Sequence, residues 1–354
     1  TCPDHEVRRV KCKHIYAVEY TIRHETKPDG TTIVTKTTRV TYKQDWPAYN
    51  AAQTHEGHHF SDLLHGLCAG IMQPRQTMGR PRLPLCDVTF SAVLKVYSTM
   101  SGRRVVSDIR DCQSKGHITT TPSYNSTFRY LENPALTPIL KALIEESASP
   151  LKAVETSFSV DSSGFSTSRF ERWYDVKYGR MCSERQWLKM HLMTGVTTNV
   201  VTSVEITGSA ANDSPYLPAL TRKTAARFEV AEVSADKQYI SNRNLQAIVG
   251  IGAMPYIPFK VNTTGDGPEL WRKMYHYYQF NREAFLQHYH KRSNVETTFS
   301  MIKGKFGDAL RSKTHTAQVN EALCKVLCHN ICVLVGSIYE LGIEPTFWAE
   351  AVAV

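Results

Sequence analysis

From about residue 150 onward the sequence changes its period in a fixed order, and that order limits the folds open to it. Segments 154–161, 187–193 and 200–207 carry apolar residues at every second position and read as three consecutive strands. Asp213, Ser214 and Pro215 then mark a helix start, with a capping side chain and a proline in the first turn. That helix is expected to run to about Phe228. Segment 229–236 reads as a fourth strand, 242–250 as a helix, 256–261 as a fifth strand, and a long helix follows that carries Glu296. No internal repeat accompanies this order. Strands joined through helices return beside their neighbours in parallel, whereas consecutive strands pair antiparallel. The order βββαβαβα therefore predicts a mixed five-stranded sheet with helices on its faces.

This is the element order of the ribonuclease H-like α/β fold, and it gives two aspartates a common address. In 154–161 the apolar series Val154, Thr156, Phe158, Val160 alternates with Glu155, Ser157, Ser159 and Asp161. In 229–236 Ala231, Val233 and Ala235 alternate with Glu232, Ser234 and Asp236. Each aspartate is expected at the carboxyl end of its strand, on the less apolar face. If the two strands are neighbours, the carboxylates meet at one sheet edge. Like charges so placed need cations, which is how a two-metal site is built. An aspartate ending a strand is also a common turn former, so either one alone is more often structural.

A third carboxylate comes from the run Tyr289 to Lys303. At 100° per residue Tyr289, Arg292, Glu296 and Lys303 fall within roughly 60° of one helical face. The carboxylate can hold a divalent ion while the cations and the phenol bind phosphates and bases. The plainer alternative is a solvated face with an i,i+4 Arg–Glu pair.

The chain resembles a DDE transposase of the prokaryotic insertion-sequence type from about Trp46 to its end. The Tyr-x2-Arg-x3-Glu-x6-Lys signature stands at Tyr289, Arg292, Glu296 and Lys303. VDSSGFSTSRFERW, SADKQY and YHKRSNVETTFSMIKGKFG follow the family's contexts for the first, second and third acid. The resemblance implies a catalytic triad of Asp161, Asp236 and Glu296 binding two Mg²⁺ ions, with Mn²⁺ as a substitute. It implies nicking at transposon ends and joining of the freed 3′-hydroxyl to target DNA. Arg292 and Lys303 would bind phosphates near the cut, and Tyr289 would position DNA or stack on a base. The partners implied are double-stranded DNA, in the form of terminal inverted repeats and target, and a second copy of the chain. Asp236 and Glu296 are separated by 60 positions (296 − 236), which leaves little room for an insertion domain there. A decayed DNA-binding copy, or a nuclease without strand transfer, are the competing functions.

Three flanking features widen the expectation. Trp187, Lys189 and His191 share one face of the second strand, so Lys189 and His191 could flank the acids and bind DNA, surface salt-bridging being as plausible. Arg169, Arg172, Lys177 and Arg180 populate the loop after the first acid and would track a phosphate backbone or form a solvated basic loop. Gly79-Arg80-Pro81-Arg82 matches the core of a minor-groove AT-hook, or a Pro-stiffened connector. A net charge of +9, from 42 Lys plus Arg against 33 Asp plus Glu, favours an anionic partner.

The organisation expected is a β-rich segment over 1–44, a mainly helical and DNA-binding segment over 45–150, and the catalytic domain over 151–354. The helices of the middle segment are expected at 46–71, 87–100, 104–112 and 134–148. Cys2-x9-Cys12-x-His14 has the spacing of a SWIM-type zinc finger without its first cysteine, so Cys2, Cys12 and His14 are candidate Zn²⁺ ligands, three where a structural site prefers four. The nine cysteines form no compact disulfide framework and are expected as reduced thiols. Cys324, Cys328 and Cys332 beside His329 are expected as one core face of a helix, and His55-Glu56-Gly57-His58-His59 as a polar helical stretch and not a protease site. Segment 322–343 reads as a buried helix too polar to span a membrane. No leader is visible, and a nucleoid-associated place in the cytoplasm is expected.

Overall fold

The computed structural model describes residues 22–26, 32–36, 45–79, 81–167, 177–178 and 187–348. The zinc-finger reading of Cys2, Cys12 and His14 lies outside the described residues, as do Arg80, Arg169, Arg172 and Arg180. The chain divides into two compact units, Thr1–Trp46 and Pro47–Val354. In the first, strand β1 (Ile22–Thr26) pairs antiparallel with β2 (Thr32–Lys36), with Ile22 opposite Lys36 and Thr26 opposite Thr32.

The second unit opens with five helices, α1 (Trp46–Ala69), α2 (Leu85–Tyr97), α3 (Val106–Ser114), α4 (Tyr124–Leu131) and α5 (Leu136–Ala148). Helix α4 was not expected from the sequence. Its N-cap is Ser123, whose hydroxyl accepts from the Ser126 N–H, but its eight residues are too few for a clear apolar period. Helix α2 is buried almost throughout, which requires its first-turn acid Asp87 to be satisfied. Oδ2 of Asp87 accepts from the N–H and the hydroxyl of both Thr119 and Thr120, at 2.7–3.1 Å. These four donors bring its carboxyl below the usual range although burial opposes them.

The sheet follows, built from β3 (Ser157–Ser166), β4 (Trp187–Gly195), β5 (Val201–Gly208), β6 (Glu232–Ala235) and β7 (Met254–Tyr256) in the order β5-β4-β3-β6-β7. β3, β4 and β5 form an antiparallel meander, while β6 lies parallel to β3 and β7 parallel to β6. This is the mixed five-stranded, ribonuclease H-like α/β architecture, preceded by a helical region. Between the strands stand α6 (Leu217–Ala225) and α7 (Asn242–Val249); after them come α8 (Glu269–Phe280), α9 (Arg282–Tyr289), α10 (Ser293–Phe306) and α11 (His315–Leu341).

Helices cover both faces of the sheet. One core joins Phe165, Leu188, Met190 and Leu192 to α1, α2, α5, α10 and α11. The other joins Phe158, Val160 and Met193 to Leu217, Leu220, Tyr239 and Ile248. The less apolar face expected for 154–161 is therefore not a solvent face: Ser159 is fully buried, and so is Glu155. Glu155 precedes the strand, where its carboxylate accepts from the N–H groups of Thr197 and Thr198 and shapes the β4–β5 turn.

Other boundaries also differ from expectation, the fourth strand for one being Glu232–Ala235 and not 229–236. The first strand starts three residues later and runs to Ser166, so Asp161 sits mid-strand and not at its end. The fifth strand is Met254–Tyr256, ahead of the expected 256–261, where Val261 is fully exposed and has no strand to join. The expected single helix around Glu296 is interrupted: α9 ends at Tyr289, a 3₁₀ turn covers His290–Arg292, and α10 begins at Ser293. Tyr289 and Glu296 thus belong to different helices.

Helix α11 is long and apolar enough to cross a membrane, so it is not too polar for that role. It is instead mostly buried inside the fold. Its Asn330 amide accepts from the Val201 N–H at 2.8 Å and donates to the Val201 carbonyl at 2.7 Å, as a neighbouring strand would at the β5 edge. Cys324 and Cys328 are wholly buried on it as free thiols, raised by burial, which agrees with a core face.

Candidate active site

β3 pairs with β4 along its full length, but with β6 only from Ser157 to Val160, opposite Glu232 to Ala235. β6 leaves the sheet at that point. The next residue on each chain is Asp161 and Asp236, so the parallel register places the two aspartates side by side where the ladder opens. Asp236 adopts an extended backbone (φ −66°, ψ 156°) and starts the 3₁₀ turn Lys237–Tyr239, its carbonyl accepting from the Tyr239 N–H at 2.8 Å.

The third acid reaches this edge through a clamp. His288 Nδ1 lies 2.5 Å from Glu232 Oε2, and Lys291 donates to Glu232 Oε1. The His288 ring stacks on Tyr256 of β7 with centroids 4.4 Å apart. Burial pushes the Glu232 carboxyl up, but the Lys291 and His288 partners bring it below its ordinary value. So the turn between α9 and α10 is fixed to the start of β6. Arg292, the last residue of that turn, then faces β3.

Arg292 Nη1 donates to Asp161 Oδ2 at 2.8 Å and Nη2 to Glu296 Oε1 at 2.5 Å. The i,i+4 pair of the plainer reading therefore exists, yet the same guanidinium also holds a carboxylate 131 positions away. A solvated helix face has no such third partner. Asp161 Oδ1 accepts from the Ser162 N–H at 2.8 Å. Burial raises the Asp161 carboxyl above its usual range, and the negative charges of Glu296 and Asp236 add to the rise against Arg292 and the Ser162 N–H. The three acids are thus electrostatically coupled.

Lys303, two turns along α10, donates to Ser163 Oγ at 2.7 Å and lies 5.1 Å from the Phe165 ring centroid. Asp161, Ser163 and Phe165 alternate onto one face of β3, the face under α10. Burial lowers the Lys303 ammonium from its ordinary value. Tyr289 stands with its ring 6.0 Å from the Arg292 guanidinium. The structure therefore gathers Asp161, Arg292 and Glu296 by contact, Asp236 by register, and Lys303 and Tyr289 at the margin.

Lys189 and His191 are not gathered there. Both belong to the opposite face of the sheet, where Lys189 Nζ lies 2.6 Å and His191 Nδ1 3.4 Å from Asp213 Oδ1. His191 is wholly buried, stacked on Tyr216 at 4.5 Å, and burial lowers its pKa. Asp213 itself, expected as a helix cap, makes no capping bond; it accepts from Ser162 Oγ at 2.8 Å and from Lys189. Ser162 thus supports Asp161 with its N–H and Asp213 with its hydroxyl, one from each side of the strand. Tyr239, buried among these acids, is raised by burial, by Asp213 and by Asp161. Sequence reading missed Asp213 and Tyr239 as neighbours of the acids; the one signal for Tyr239 was its place in SADKQY.

Among the described residues no group of three or more His, Cys, Asp or Glu is already arranged to hold a metal. In this conformation Arg292 supplies the positive charge between Asp161 and Glu296. The donor set still fits a hard divalent cation, since the three carboxylates are coupled and burial, with the charges of Glu296 and Asp236 added, holds Asp161 above its normal range. The His-Glu-x-x-His stretch lies on α1, where His59 bonds Tyr339, His58 pairs with Asp62 and Glu56 accepts from Tyr97.

A family model described as "Transposase DDE domain" matches residues 153–331, half of the chain and the whole sheet with α10. No curated protein matches the chain. Among solved structures, a cryo-EM structure of the piggyBac transposase synaptic complex with hairpin DNA is similar at 10% identity and a TM-score of 0.37, covering 82% of this chain and 74% of that one.

Proposed function

Because the chain belongs to the transposase DDE domain family, we propose that it is a DNA transposase that cuts at the ends of its element and joins the freed 3′-hydroxyl to target DNA. The observation that carries this reading is the coupling of Asp161, Asp236 and Glu296 at the point where β3 and β6 part. These carboxylates would hold two Mg²⁺ ions, or Mn²⁺, which when bound supply Lewis-acid activation of water or a 3′-hydroxyl and neutralise charge on the departing oxygen. Once the carboxylates are otherwise compensated, Arg292 is free to bind a phosphate next to the scissile bond, with Lys303 behind it and Tyr289 alongside. The Asp213–Lys189 pair and the buried His191 beside it serve as support for β3 in this reading. The helical segment within 45–150 provides duplex-binding surface, and a homodimer pairs two DNA ends. An insertion-sequence origin, a nucleoid-associated location and a metal-binding Cys2, Cys12, His14 segment belong to the same proposal.

The test is cleavage and joining of labelled DNA bearing the element's terminal repeats, with Mg²⁺ or Mn²⁺, beside Asp236→Asn and Glu296→Gln. Metal-dependent nicking and joining should be lost in both variants, by at least about a thousandfold, with DNA affinity kept. Binding without cleavage under either metal rejects catalysis, and nicking without joining leaves a nuclease.

A further inference from the structure

We infer that a second site, separate from the acids, takes one unpaired nucleotide of the bound DNA. A cavity of about 430 Å³ lies between the end of α2, the end of α4 and the loop before α11. That volume falls in the range of small-ligand sites, about 300–1,000 Å³. Its walls include Lys95, Met100, Gly102, Phe128, Arg311 and Lys313.

Lys95 carries the argument. It is 6% exposed and, among the described residues, has no carboxylate and no hydrogen-bond acceptor. Its one neighbour of note is the Phe128 ring, 6.0 Å from Nζ. The stem is buried while Nζ stays open to the cavity, so an ammonium with no carboxylate beside it is left to meet an anion there. Arg311 and Lys313 add positive charge against a single wall carboxylate, Glu132.

The ring supplies the second half of a nucleotide's chemistry. Phe128 is 38% exposed, and it lies so close on Gly102 that a Cβ there would meet the ring at 2.5 Å. Its position is therefore fixed by a glycine while the ring stays open to the cavity. Thr99 in the adjoining loop holds φ at 54°, an outlier for a β-branched residue, and its carbonyl accepts from Arg311 Nη1. Backbone strain of this kind concentrates at binding sites. An exposed aromatic face beside cations is how unpaired bases are held, whereas bases inside a duplex are already stacked and cannot enter a pocket.

The place suits one DNA molecule reaching both sites. From Asp161 to Ser166 β3 covers five steps of about 3.3 Å, roughly 17 Å. Ser166 bonds to the Asp308 carbonyl at 3.0 Å and the Leu310 N–H at 2.8 Å, and Arg311 follows directly. That span equals about five base steps. The inference rests on the transposase reading in taking DNA as the ligand.

The test measures affinity of the full chain for a blunt duplex and for the same duplex with a short unpaired flap, in wild type, Lys95→Met and Phe128→Ala. Wild type should prefer the flap, and each variant should lose about tenfold on the flap and less than about twofold on the blunt duplex. No preference in wild type, unchanged flap affinity, or equal loss on both DNAs would overturn the site. Phe128 is a surface ring, so its truncation reads the site even if Lys95→Met disturbs packing. Inorganic phosphate competing as well as a deoxynucleoside monophosphate would reject the base contact. Unchanged flap affinity with cleavage intact removes this inference alone; absent cleavage with flap preference kept removes the catalytic reading alone.

Discussion

At the scale of single residues, Asp161 concentrates the conflict on which the site depends. Burial raises its carboxyl, and Arg292 only partly offsets this together with the Ser162 N–H. The folded state therefore holds its proton more tightly than the unfolded chain. Stability from this group is fully present below the unfolded carboxyl pKa and declines as pH rises through the raised folded value. At neutral pH without metal the charge is a net cost, so Asp161→Asn should melt at a higher temperature than wild type in chelator. Added Mg²⁺ should raise the wild-type melting temperature by mass action and leave Asp161→Asn nearly unmoved. A lower melting temperature for the variant in chelator, or an undiminished Mg²⁺ shift, would sink this account.

At the scale of elements, the junctions matter more than the elements they join. The 3₁₀ turn His290–Arg292 is held by Glu232, and it gives Arg292 a reach that a continuous helix would deny. At the other end of α10, Gly307 has φ 82° and ψ 153°, a region open essentially to glycine. A Cβ at Gly307 would meet nothing within 4 Å, so the cost of Gly307→Ala is conformational and not steric. We expect a loss of about 1–3 kcal/mol, read as a lower urea midpoint at unchanged slope. The loop released there carries the Ser166 pairing and is held by Lys325 of α11, whose ammonium donates to the Gly307 and Ala309 carbonyls at 2.8 and 2.9 Å. A midpoint equal to wild type would mean that the loop relaxes to another backbone conformation.

At the scale of the whole second unit, α11 links the helical region to the sheet. The helices before β3 share one apolar core with β3, β4 and α10, so the helical region and the sheet are packed together. His329 of α11 lies within this packing, 3% exposed, with Nε2 2.9 Å from the Asn199 carbonyl at the β4–β5 turn. Burial pushes its pKa down to about 4. Between pH 6.5 and that value the unfolded chain binds the extra proton, so stability is complete above about 6.5 and is lost as pH falls toward 4. The loss is on the order of 3 kcal/mol. His329→Gln keeps a donor for Asn199 and should flatten stability over that interval, measured by urea titration at successive pH values. The same acid slope in the variant would move the cause to another group.

The local periods in the sequence were enough for the strand order, because apolar alternation over five to ten residues is a property of neighbouring positions. The run from Tyr289 to Lys303 was legible for the same reason, as were the aspartates in their strand contexts. Strand ends were not: whether β3 stops at Asp161 or continues to Ser166 depends on β4, which pairs with it throughout, and on β6, which does not. The break after Tyr289 was invisible because it answers to Glu232 and Tyr256, both distant in sequence. The same holds for Lys189 and His191, whose shared face could be read, though not which face of the sheet it would be. Sequence by itself determined which residue types repeat at which spacing. Only the tertiary structure decided which charges meet, since a carboxylate's partners and its desolvation come from chains that periodicity does not connect.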